Sequence, residues 1–392
     1  MTAAADYDVL IAGAGLVGLA LAPALADAGL AVALLDRLAL ASPEPDPETW
    51  DTRIYAISPG SAAYLRAIGG WQALAADRIA AVESMRVAGD AGGLLEFSAW
   101  DLGERALAWI VEERALRAAL VPLVHGAGVT TIAPCGFARL SFTPAEGRLE
   151  LDDGGVVTAR LVVGADGVRS WVRAAAGIHA IPKPYGQTAV VANFACERAH
   201  HGRAHQWFLA DGSILAWLPL PGRRISIVWS APDPLAAELM AQDAPALAGR
   251  VAAAGNHALG TLACITSPAA FPLQFLRLPA VIAHRLALTG DAAHGVHPLA
   301  GQGVNLGFGD VEALATVLRE RGPIADVGAS LLLERYARRR EEPVRAMQTV
   351  TDSLARLFES GAPFLCAARN YGMTAVDRLP LAKRLLAQSA FR

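Results

Sequence analysis

The fold of this chain is decided by residues 6–36, which read DYDVLIAGAGLVGLALAPALADAGLAVALLD. Val9 to Ile11 is typical of a short buried strand, and it runs directly into a glycine-rich turn from which an apolar helix continues. A second strand follows and ends at Asp36. The pattern predicts a β-α-β unit that binds a dinucleotide, because the glycines let the backbone approach a pyrophosphate and the aspartate accepts hydrogen bonds from a ribose. These glycines are Gly13, Gly15 and Gly18.

Length and composition bound the class of protein. The chain has 392 residues, of which 54% are hydrophobic and 18% charged, which suits one large α/β domain or two interleaved ones and excludes a disordered chain. Its formal net charge of −3 gives no bulk electrostatic footprint for nucleic acid, so we expect no nucleic-acid partner. The four cysteines lie far apart without a C-x-x-C pair, which favours a reducing compartment over a disulfide framework.

The most apolar stretch of the chain, from Val9 to Leu35, is predicted to be neither a signal peptide nor a membrane span. No basic segment precedes it, Asp27 interrupts it, and its glycines have the spacing of a phosphate-binding loop. We therefore expect a cytoplasmic protein, with peripheral contact at the inner face of the membrane left open.

Two later segments repeat the pattern of a buried strand followed by glycine and aspartate. Residues 161–170 (LVVGADGVRS) contain Asp166, and residues 286–294 (LALTGDAAH) contain Asp291. The second segment continues into a glycine-rich run, residues 295–310 (GVHPLAGQGVNLGFGD). An aspartate directly after a strand is well placed to bind a polyol, and the helix start that follows the glycines can face an anion. NAD and FAD enzymes share the opening fingerprint, so these later segments must distinguish the two cofactors.

Together the three segments resemble the group A flavoprotein aromatic hydroxylases, and within them the ubiquinone-biosynthesis hydroxylases. The run from His297 to Asp310 is the specific part, and residues 51–58 (DTRIYAIS) resemble a stretch of the same branch. The resemblance implies an α/β fold. This implied fold has a Rossmann-like FAD-binding domain, an inserted antiparallel-sheet substrate domain and a C-terminal helical tail.

The resemblance also implies a set of residues that contact the cofactor. The three glycines of the opening turn would cradle the FAD pyrophosphate, and the amides at the start of the last glycine-rich helix would face the flavin N1 and C2 carbonyl. Preorganised donors there would stabilise the negative charge of reduced flavin. The implied contacts beyond the first three glycines are Asp36 on the adenosine ribose, Arg53 near the flavin and phosphates, Asp166 and more weakly Arg169 near FAD and the nicotinamide donor, Asp291 on the ribityl chain, and Gly303, Val304 and Asn305 at the helix start.

Three candidate catalytic residues flank the flavin in the family pattern. Pro298 would lie beside the isoalloxazine ring. His294 and His297 are candidates for acid-base catalysis, with backbone positioning as the alternative reading of both.

The function implied by the resemblance is FAD-dependent hydroxylation of the aromatic ring of a polyprenylated phenol in ubiquinone biosynthesis. NAD(P)H, a transient electron donor, would reduce FAD, O₂ would add at flavin C4a, and the hydroperoxide would transfer an OH group to the ring. Expected partners are the prenylated phenol, O₂ and subunits of a quinone-biosynthesis complex. Two alternatives stay open: a related monooxygenase acting on a soluble aromatic compound, and a flavin-binding subunit of such a complex that does not turn over.

We expect the chain to be divided discontinuously between these domains. The FAD-binding domain would comprise residues 1–75, 105–180 and 275–322. Residues 76–104 and 181–274 would form the substrate domain, in which strand-like stretches alternate with Asp-Gly and Pro-Gly turns. The acidic, proline-rich run 42–48 predicts an exposed loop.

Residues 323–392 are predicted to form C-terminal helices. Apolar residues recur there at helical spacing: Leu331, Leu332, Tyr336, Leu354, Leu357 and Phe358. The run 338–342 (RRREE) predicts a solvated helix face. Residues 378–386 are basic and rich in leucine, which suits either a packing helix or a peripheral membrane anchor.

Other signals favour structural roles. Three histidines lie close together in the sequence: His200, His201 and His205. They lack a carboxylate or cysteine partner at ligand spacing, so we predict an exposed loop and no metal site. Three tryptophans suit a substrate chamber and a packed sheet core about equally: Trp207, Trp217 and Trp229.

One position departs from the wider group. Many relatives have an arginine or glutamine touching FAD in the strand before the helix predicted over residues 114–124, where this chain has Glu112 and Glu113. Neither is an obvious flavin ligand, which predicts weaker retention of the cofactor.

Overall fold

The computed structural model describes residues 5–41, 46, 48–359, 362–379 and 383–384. Within them the strands are β1 (Tyr7–Ala12), β2 (Val32–Leu35), β3 (Ile54–Ile57), β4 (Ala80–Val82), β5 (Ser84–Ala88), β6 (Leu94–Ser98), β7 (Ala108–Glu112), β8 (Thr130–Ile132), β9 (Phe137–Phe142), β10 (Gly147–Leu151), β11 (Val156–Gly164), β12 (Lys183–Cys196), β13 (Arg203–Phe208), β14 (Ile214–Leu220), β15 (Arg224–Pro232), β16 (Leu262–Cys264), β17 (Ala269–Arg277), β18 (Ile282–Ala283), β19 (Leu286–Leu288) and β20 (His294–Gly295). The helices are α1 (Leu16–Asp27), α2 (Pro59–Ala67), α3 (Ala99–Leu102), α4 (Glu113–Gly126), α5 (Trp171–Ala175), α6 (Asp233–Ala241), α7 (Ala244–Ala254), α8 (Gly303–Arg319), α9 (Ser330–Glu359) and α10 (Pro363–Asp377).

The first sheet contains the predicted β-α-β unit, β1-α1-β2. Its parallel strands lie in the order β8-β2-β1-β11-β19, and β18 is added antiparallel beside β19. β10 and β9 extend the sheet antiparallel from β11. Connections leave β1 and β11 in opposite directions, and open α/β sheets bind ligands beyond the carboxyl ends of the strands at such a point.

Alternation along β1 shows why this sheet is buried on both faces. Val9 and Ile11 belong to the core shared with α1, α4 and α8. Leu10 and Ala12 belong to the core shared with β9, β10 and α5. Because successive side chains point to opposite faces and both faces are covered, the strand is apolar throughout, as in other parallel sheets.

The second sheet has the order β20-β17-β12-β15-β14-β13-β5-β6, with β16 also paired to β12. Its neighbours are antiparallel apart from β13 and β5, which are parallel and thus modify the expected all-antiparallel sheet. One face packs against α6 and α7 around the side chains of Trp207, Trp217 and Trp229. These tryptophans therefore form the core of the sheet.

The two sheets are joined by short elements. The sheet β3-β7-β4 contacts both β14 of the second sheet and α8. β17 (Ala269–Arg277) runs across the boundary proposed at residue 275, and its last two residues, inside the FAD-binding segment, pair with β20. The proposed domain boundaries therefore cross a continuous set of contacts, and they remain a proposal.

Helix α9 spans both sheets. Near its start, Leu332 and Tyr336 pack into the core of the first sheet, and near its end Phe358 stacks on Phe208 of the second sheet, with ring centroids 3.6 Å apart. Two of the recurring leucines are exposed instead, Leu331 and Leu354. The predicted helix is present, and its buried stripe is narrower than its apolar pattern.

The structure describes only part of the C-terminal segment for which we predict a packing helix or a membrane anchor. In the described portion of the chain, no helix is long and apolar enough to cross a membrane. Arg378 is exposed and Lys383 pairs with Asp377 at 2.9 Å. Leu381, Leu385, Leu386 and most of the acidic run 42–48 lie outside the described residues.

Candidate active site

Four predicted site residues follow four neighbouring strands of the first sheet. Gly13 follows β1, Asp36 follows β2, Asp166 follows β11 and Asp291 follows β19. The carboxyl ends of parallel strands meet at one edge of a sheet. The structure thus brings together residues that lie up to 278 positions apart, from 13 to 291.

The glycines of the opening turn differ in what surrounds them. Gly13 has φ +111°, and a Cβ there would lie 2.4 Å from the carbonyl oxygen of Ala165. A Cβ on Gly18 would lie 1.9 Å from the carbonyl oxygen of Gly13, so α1 packs directly on the turn. Gly15 differs, since no described atom lies within 4 Å of its Cβ position. The N-cap residue of α1 is Gly15, which has no side chain to cap the first amides, and such a helix start fits a pyrophosphate.

Asp36 holds the turn as well as offering an acceptor. Its Oδ2 accepts a hydrogen bond from the amide of Ala14 at 2.6 Å, and its Oδ1 accepts one from the amide of Leu38 at 2.8 Å. Each carboxylate oxygen can accept a second hydrogen bond, so capacity for a ribose hydroxyl remains.

Arg117 is a residue of this region that sequence reasoning missed. It lies on α4, and its Nη1 donates to the carbonyl oxygen of Ala14 at 2.9 Å. A guanidinium beside the turn suits a phosphate. The sequence signal was weak: a cation on a helix that packs beside the turn.

Glu112 and Glu113, which stand where many relatives have an arginine or glutamine, hold the segment that carries Arg53. Glu112 is fully buried; its Oε1 accepts from the amide of Asp51 at 2.5 Å and its Oε2 accepts from Nε of Arg78 at 2.8 Å. Glu113 pairs with Arg53 at 2.9 Å. Burial alone would lower the pKa of Arg53, and Glu113 outweighs that effect and raises it, so Arg53 stays cationic. Both acids thus act through the protein segment rather than on the cofactor.

Asp166 uses both carboxylate oxygens within its own loop. Oδ1 accepts from the hydroxyl of Ser170 at 2.5 Å, and Oδ2 accepts from the amide of Val172 at 3.0 Å. Its Cα would lie 2.8 Å from a Cβ on Gly13. The side chain therefore fixes the start of α5, while the backbone lies against the glycine turn. Arg169 is exposed nearby.

Asp291 lies in a groove. Its side chain is exposed to solvent, yet protein surrounds it closely enough that burial raises the pKa of the carboxyl, with His294 and Arg53 acting in the opposite direction. A carboxyl on the wall of an open groove has both solvent access and protein on several sides. A hydroxyl-rich chain lying in this groove would meet it.

Helix α8 begins beside the same groove. A Cβ on Gly303 would meet no described atom within 4 Å, and the side chain of the N-cap residue Gln302 makes no capping hydrogen bond to α8. A Cβ on Gly307 would lie 2.6 Å from Cγ2 of Val17, so α8 approaches the start of α1 closely. The partly buried Val304 packs on the first core. The N-termini of the two helices thus converge.

The side chain of Asn305 joins the start of α8 to β3 and to the start of α2 by hydrogen bonds. Its Oδ1 accepts from the amide of Ser58 at 3.0 Å, and its Nδ2 donates to the carbonyl oxygen of Ala56 at 2.8 Å. The side chain therefore positions the helix, which leaves its backbone amide as the group for the predicted flavin contact.

The candidate catalytic histidines are both buried. Nε2 of His294 lies 2.6 Å from Oδ2 of Asp310. Nε2 of His297 lies 3.2 Å from Oε1 of Gln187, while its Nδ1 has no hydrogen-bond partner among the described residues. Burial lowers the pKa of His297 to about 4, so its imidazole is neutral at neutral pH. Pro298 is half-buried and begins the turn that leads to α8.

The three neighbouring histidines do not form a metal site, and one of them corrects our prediction of an exposed loop. Across the ranges described, no group of three or more His, Cys, Asp or Glu side chains is arranged to hold a metal. His205 lies on β13, buried, with its ring stacked on Trp207 at 5.2 Å. Burial lowers the pKa of His205 to about 4.

The residues at this edge fit FAD. Space in front of Gly15 and Gly303 admits a ligand close to two helix starts, which suit anionic groups. Asp36 and Asp291 supply acceptors for the hydroxyls of a ribose and a ribityl chain. An extended dinucleotide with an anionic centre has this pattern of groups.

Comparisons with known proteins agree with this geometry. Residues 6–100 and 144–351 match the FAD binding domain family. The chain is 36% identical to ubiquinone hydroxylase UbiL of Rhodospirillum rubrum, over 100% of this chain and 91% of the relative. It is 34% identical to 3-demethoxyubiquinol 3-hydroxylase of Escherichia coli, over 96% of each chain. The crystal structure of P. aeruginosa PqsL in complex with 2-aminobenzoylacetate superposes with a TM-score of 0.77 at 25% identity, covering 92% of this chain and 98% of PqsL.

The matches extend over nearly the whole chain and include both sheets. They agree with the cofactor that the groove fits. The chain belongs to the FAD-binding-domain family of flavoprotein monooxygenases and, within it, to the ubiquinone-biosynthesis hydroxylases.

Proposed function

We propose that this FAD-dependent monooxygenase hydroxylates the aromatic ring of a polyprenylated phenol in ubiquinone biosynthesis, with NAD(P)H as the transient electron donor and O₂ as co-substrate. The names of the two relatives, a ubiquinone hydroxylase and a 3-demethoxyubiquinol 3-hydroxylase, support this substrate class. The observation that carries the proposal is the groove at the strand ends, where the exposed Asp291 follows Gly290, which packs against Val17 of α1 and Gly307 of α8.

The adenosine and pyrophosphate half of FAD is assigned to the first part of the chain. Gly15 and the start of α1 would hold the pyrophosphate, with Arg117 beside them. Asp36 would hold the ribose. Gly13 and Gly18 act by allowing the close packing that shapes the turn.

The flavin half is assigned to the segment after β19. Asp291 would bind the ribityl chain, and Pro298 would lie beside the ring. The amides of Gly303, Val304 and Asn305 would face the region of the ring that becomes negative on reduction, where fixed donors and a helix start stabilise charge.

When bound, FAD supplies the capacity to accept hydride from NAD(P)H and to activate O₂. Hydroxylation consumes O₂, NAD(P)H and a proton, places one oxygen atom on the ring and releases the other as water. The chain contributes binding, orientation of the ring and exclusion of water. We assign His294 a positioning role, because its Nε2 is engaged by Asp310, and we do not assign His297 as a general acid, because its pKa is about 4.

The test is the quinone profile of a strain that lacks the gene for this chain, measured by mass spectrometry. We expect a prenylated phenol to accumulate one oxygen short of a pathway intermediate, and the returned gene to remove it. Return of an Asp291→Ala variant should fail, whereas the matched variant Asp77→Ala, at an exposed residue outside the proposed cofactor contacts, should succeed.

Two results would support the alternatives instead. An unchanged profile, in a strain without a redundant hydroxylase, would favour a soluble aromatic substrate, and tight coupling of NAD(P)H consumption to a small phenol would identify it. Full rescue by Asp291→Ala protein that has lost FAD would favour a flavin-binding subunit of a quinone-biosynthesis complex that does not turn over.

We also propose peripheral contact with the inner face of the membrane, where a polyprenylated substrate dissolves. Phe364 and Tyr371 of α10 are exposed, and Arg378 follows at the end of the helix. Exposed aromatic rings beside cations suit a membrane interface. Removal of residues 375–392, and separately Phe364→Ser with Tyr371→Ser, should each weaken cosedimentation with anionic liposomes. Unchanged binding in both would contradict the contact.

A further inference from the structure

Helix α9 contacts both ends of the loop that carries Asp291. At the end of β19, the buried hydroxyl of Tyr336 donates to the carbonyl oxygen of Leu288 at 2.7 Å. At the other end, Nε2 of Gln348 donates to the carbonyl oxygen of Gly295 at 3.3 Å. One helix of the C-terminal tail therefore holds the loop from 288 to 295.

Asp310 on α8 holds the middle of the same loop. Its side chain is 1% exposed. Oδ2 accepts from the amide of Gly290 at 2.8 Å and lies 2.6 Å from Nε2 of His294, so it contacts residues on both sides of Asp291 in the chain. Oδ1 accepts from Nε of Arg340 at 2.7 Å. Burial would raise the pKa of Asp310, but His294 and Arg340 outweigh it and lower that pKa, so the carboxyl is an anion.

Arg340 reaches Asp310 because the chain leaves room for it. A Cβ on Gly309 would lie 2.8 Å from a guanidinium nitrogen of Arg340. The guanidinium also donates to the carbonyl oxygen of Leu306 in the first turn of α8, at 3.0 Å. One cation thus touches the helix start and, through Asp310, the Asp291 loop.

The prediction of a solvated face for residues 338–342 was therefore wrong at one position. The side chain of Arg340 is 13% exposed, whereas that of Arg338 is 62% exposed. Tyr336 lies one turn before Arg340 on the same face of α9, and its hydrogen bond to β19 turns that face inward.

We infer that Arg340 is a positioning residue for the flavin half of the FAD site. It holds Asp310, and Asp310 holds the loop that presents Asp291. A buried carboxylate that loses its cation is no longer compensated, so its hydrogen bonds to the loop change with it. The inference rests on the proposed contacts of Asp291 and the α8 amides with the flavin half. The adenosine half, at Gly15 and Asp36, does not depend on Arg340.

A cleft of about 230 Å³ reaches this network from the outside of the molecule. The residues that line it include Arg277, Val281, His294, Asp310, Arg340 and Arg345. Because Asp310 and Arg340 both line the cleft, truncation of Arg340 to alanine leaves a route by which a free guanidinium ion can reach Oδ1 of Asp310.

The test compares FAD and ADP binding to the apoprotein by calorimetry. In Arg340→Ala we expect FAD affinity to fall about tenfold, while ADP affinity stays near that of the wild type. Guanidinium chloride at tens of millimolar should restore part of the FAD affinity, and sodium chloride at equal concentration should not. The matched variant Arg338→Ala, on an exposed residue of the same helix, should bind both ligands as the wild type does.

Equal losses of FAD and ADP affinity would overturn the inference, because they indicate general loosening of the fold. Unchanged FAD affinity, or equal rescue by sodium chloride, would overturn it too. If Arg340→Ala does not fold, Arg340→Lys, which keeps the charge but not the paired hydrogen bonds, is measured instead, with a smaller loss for FAD alone expected. Failure of the wild type to bind FAD would contradict the proposed function, which separates that result from failure of this inference.

Discussion

Replacement of Gly15 by alanine should lower the affinity for FAD without lowering the stability of the fold. Gly15 has φ −71° and ψ 179°, which alanine adopts without strain, and no atom of the described residues lies within 4 Å of its Cβ position. We expect the unfolding free energy of the apoprotein to change by less than about 1 kcal/mol, with any change a gain, because alanine lowers the entropy of the unfolded chain. FAD affinity should fall, since the methyl group occupies the approach to the α1 amides.

The size of the loss follows from the contact removed. A hydrogen bond between an amide and a charged phosphate is worth about 1.5–3 kcal/mol, which corresponds to about ten- to hundredfold in affinity. Quenching of FAD fluorescence measures affinity, and urea denaturation of the apoprotein measures stability. Gly18→Ala is the matched variant: its Cβ would lie 1.9 Å from the carbonyl oxygen of Gly13, so we expect about 3 kcal/mol of destabilisation. Wild-type FAD affinity in Gly15→Ala, or destabilisation equal to that of Gly18→Ala, would refute the placement of the pyrophosphate.

Two further predictions concern buried charge. Glu112→Gln should lower the unfolding free energy by about 3 kcal/mol, because Arg78 loses its buried carboxylate partner. Glu150→Gln alters an exposed ion pair, so in the same urea titration it should change the unfolding free energy by less than about 0.5 kcal/mol. Similar values for the two variants would contradict this prediction. His205 has a folded pKa of about 4, below the unfolded value of about 6.5, so the unfolded state binds more protons in that window and stability falls with falling pH. The loss of unfolding free energy between pH 7.5 and pH 5 should therefore be about 2 kcal/mol smaller in His205→Phe than in the wild type. In His125→Gln, at an exposed residue, this loss should equal that of the wild type. A loss in His205→Phe as large as in the wild type would contradict the buried neutral imidazole.

The dinucleotide edge could be predicted because its signals are local. A strand, three glycines and a helix occupy residues 9–28, and a strand followed by aspartate is visible within ten residues at Asp166 and Asp291. Parallel pairing then places these residues at one edge without further information. The order of the strands thus determines which of these residues are neighbours in space, which their spacing in the sequence does not show.

The supporting side chains could not be predicted, because their partners are distant in sequence. Glu112 contacts Asp51 across 61 positions, and Arg117 contacts Ala14 across 103. Nothing near Arg340 distinguishes it from the arginines beside it, since its partner lies on another helix. His205 gave no signal of burial, because both faces of β13 are covered and the strand has no polar alternation.

The pairing of strands along the chain also determines when this site becomes complete during synthesis. Val9 pairs with Val32 early, but with Leu161 much later, and Val162 pairs with Leu286 later still. At about 5–20 residues per second, the ribosome needs on the order of tens of seconds between Gly13 and Arg340. Folds built on such distant pairs form slowly. The strands of the adenosine half therefore precede those of the flavin half in the chain, and α9, which holds the Asp291 loop, is synthesised after both.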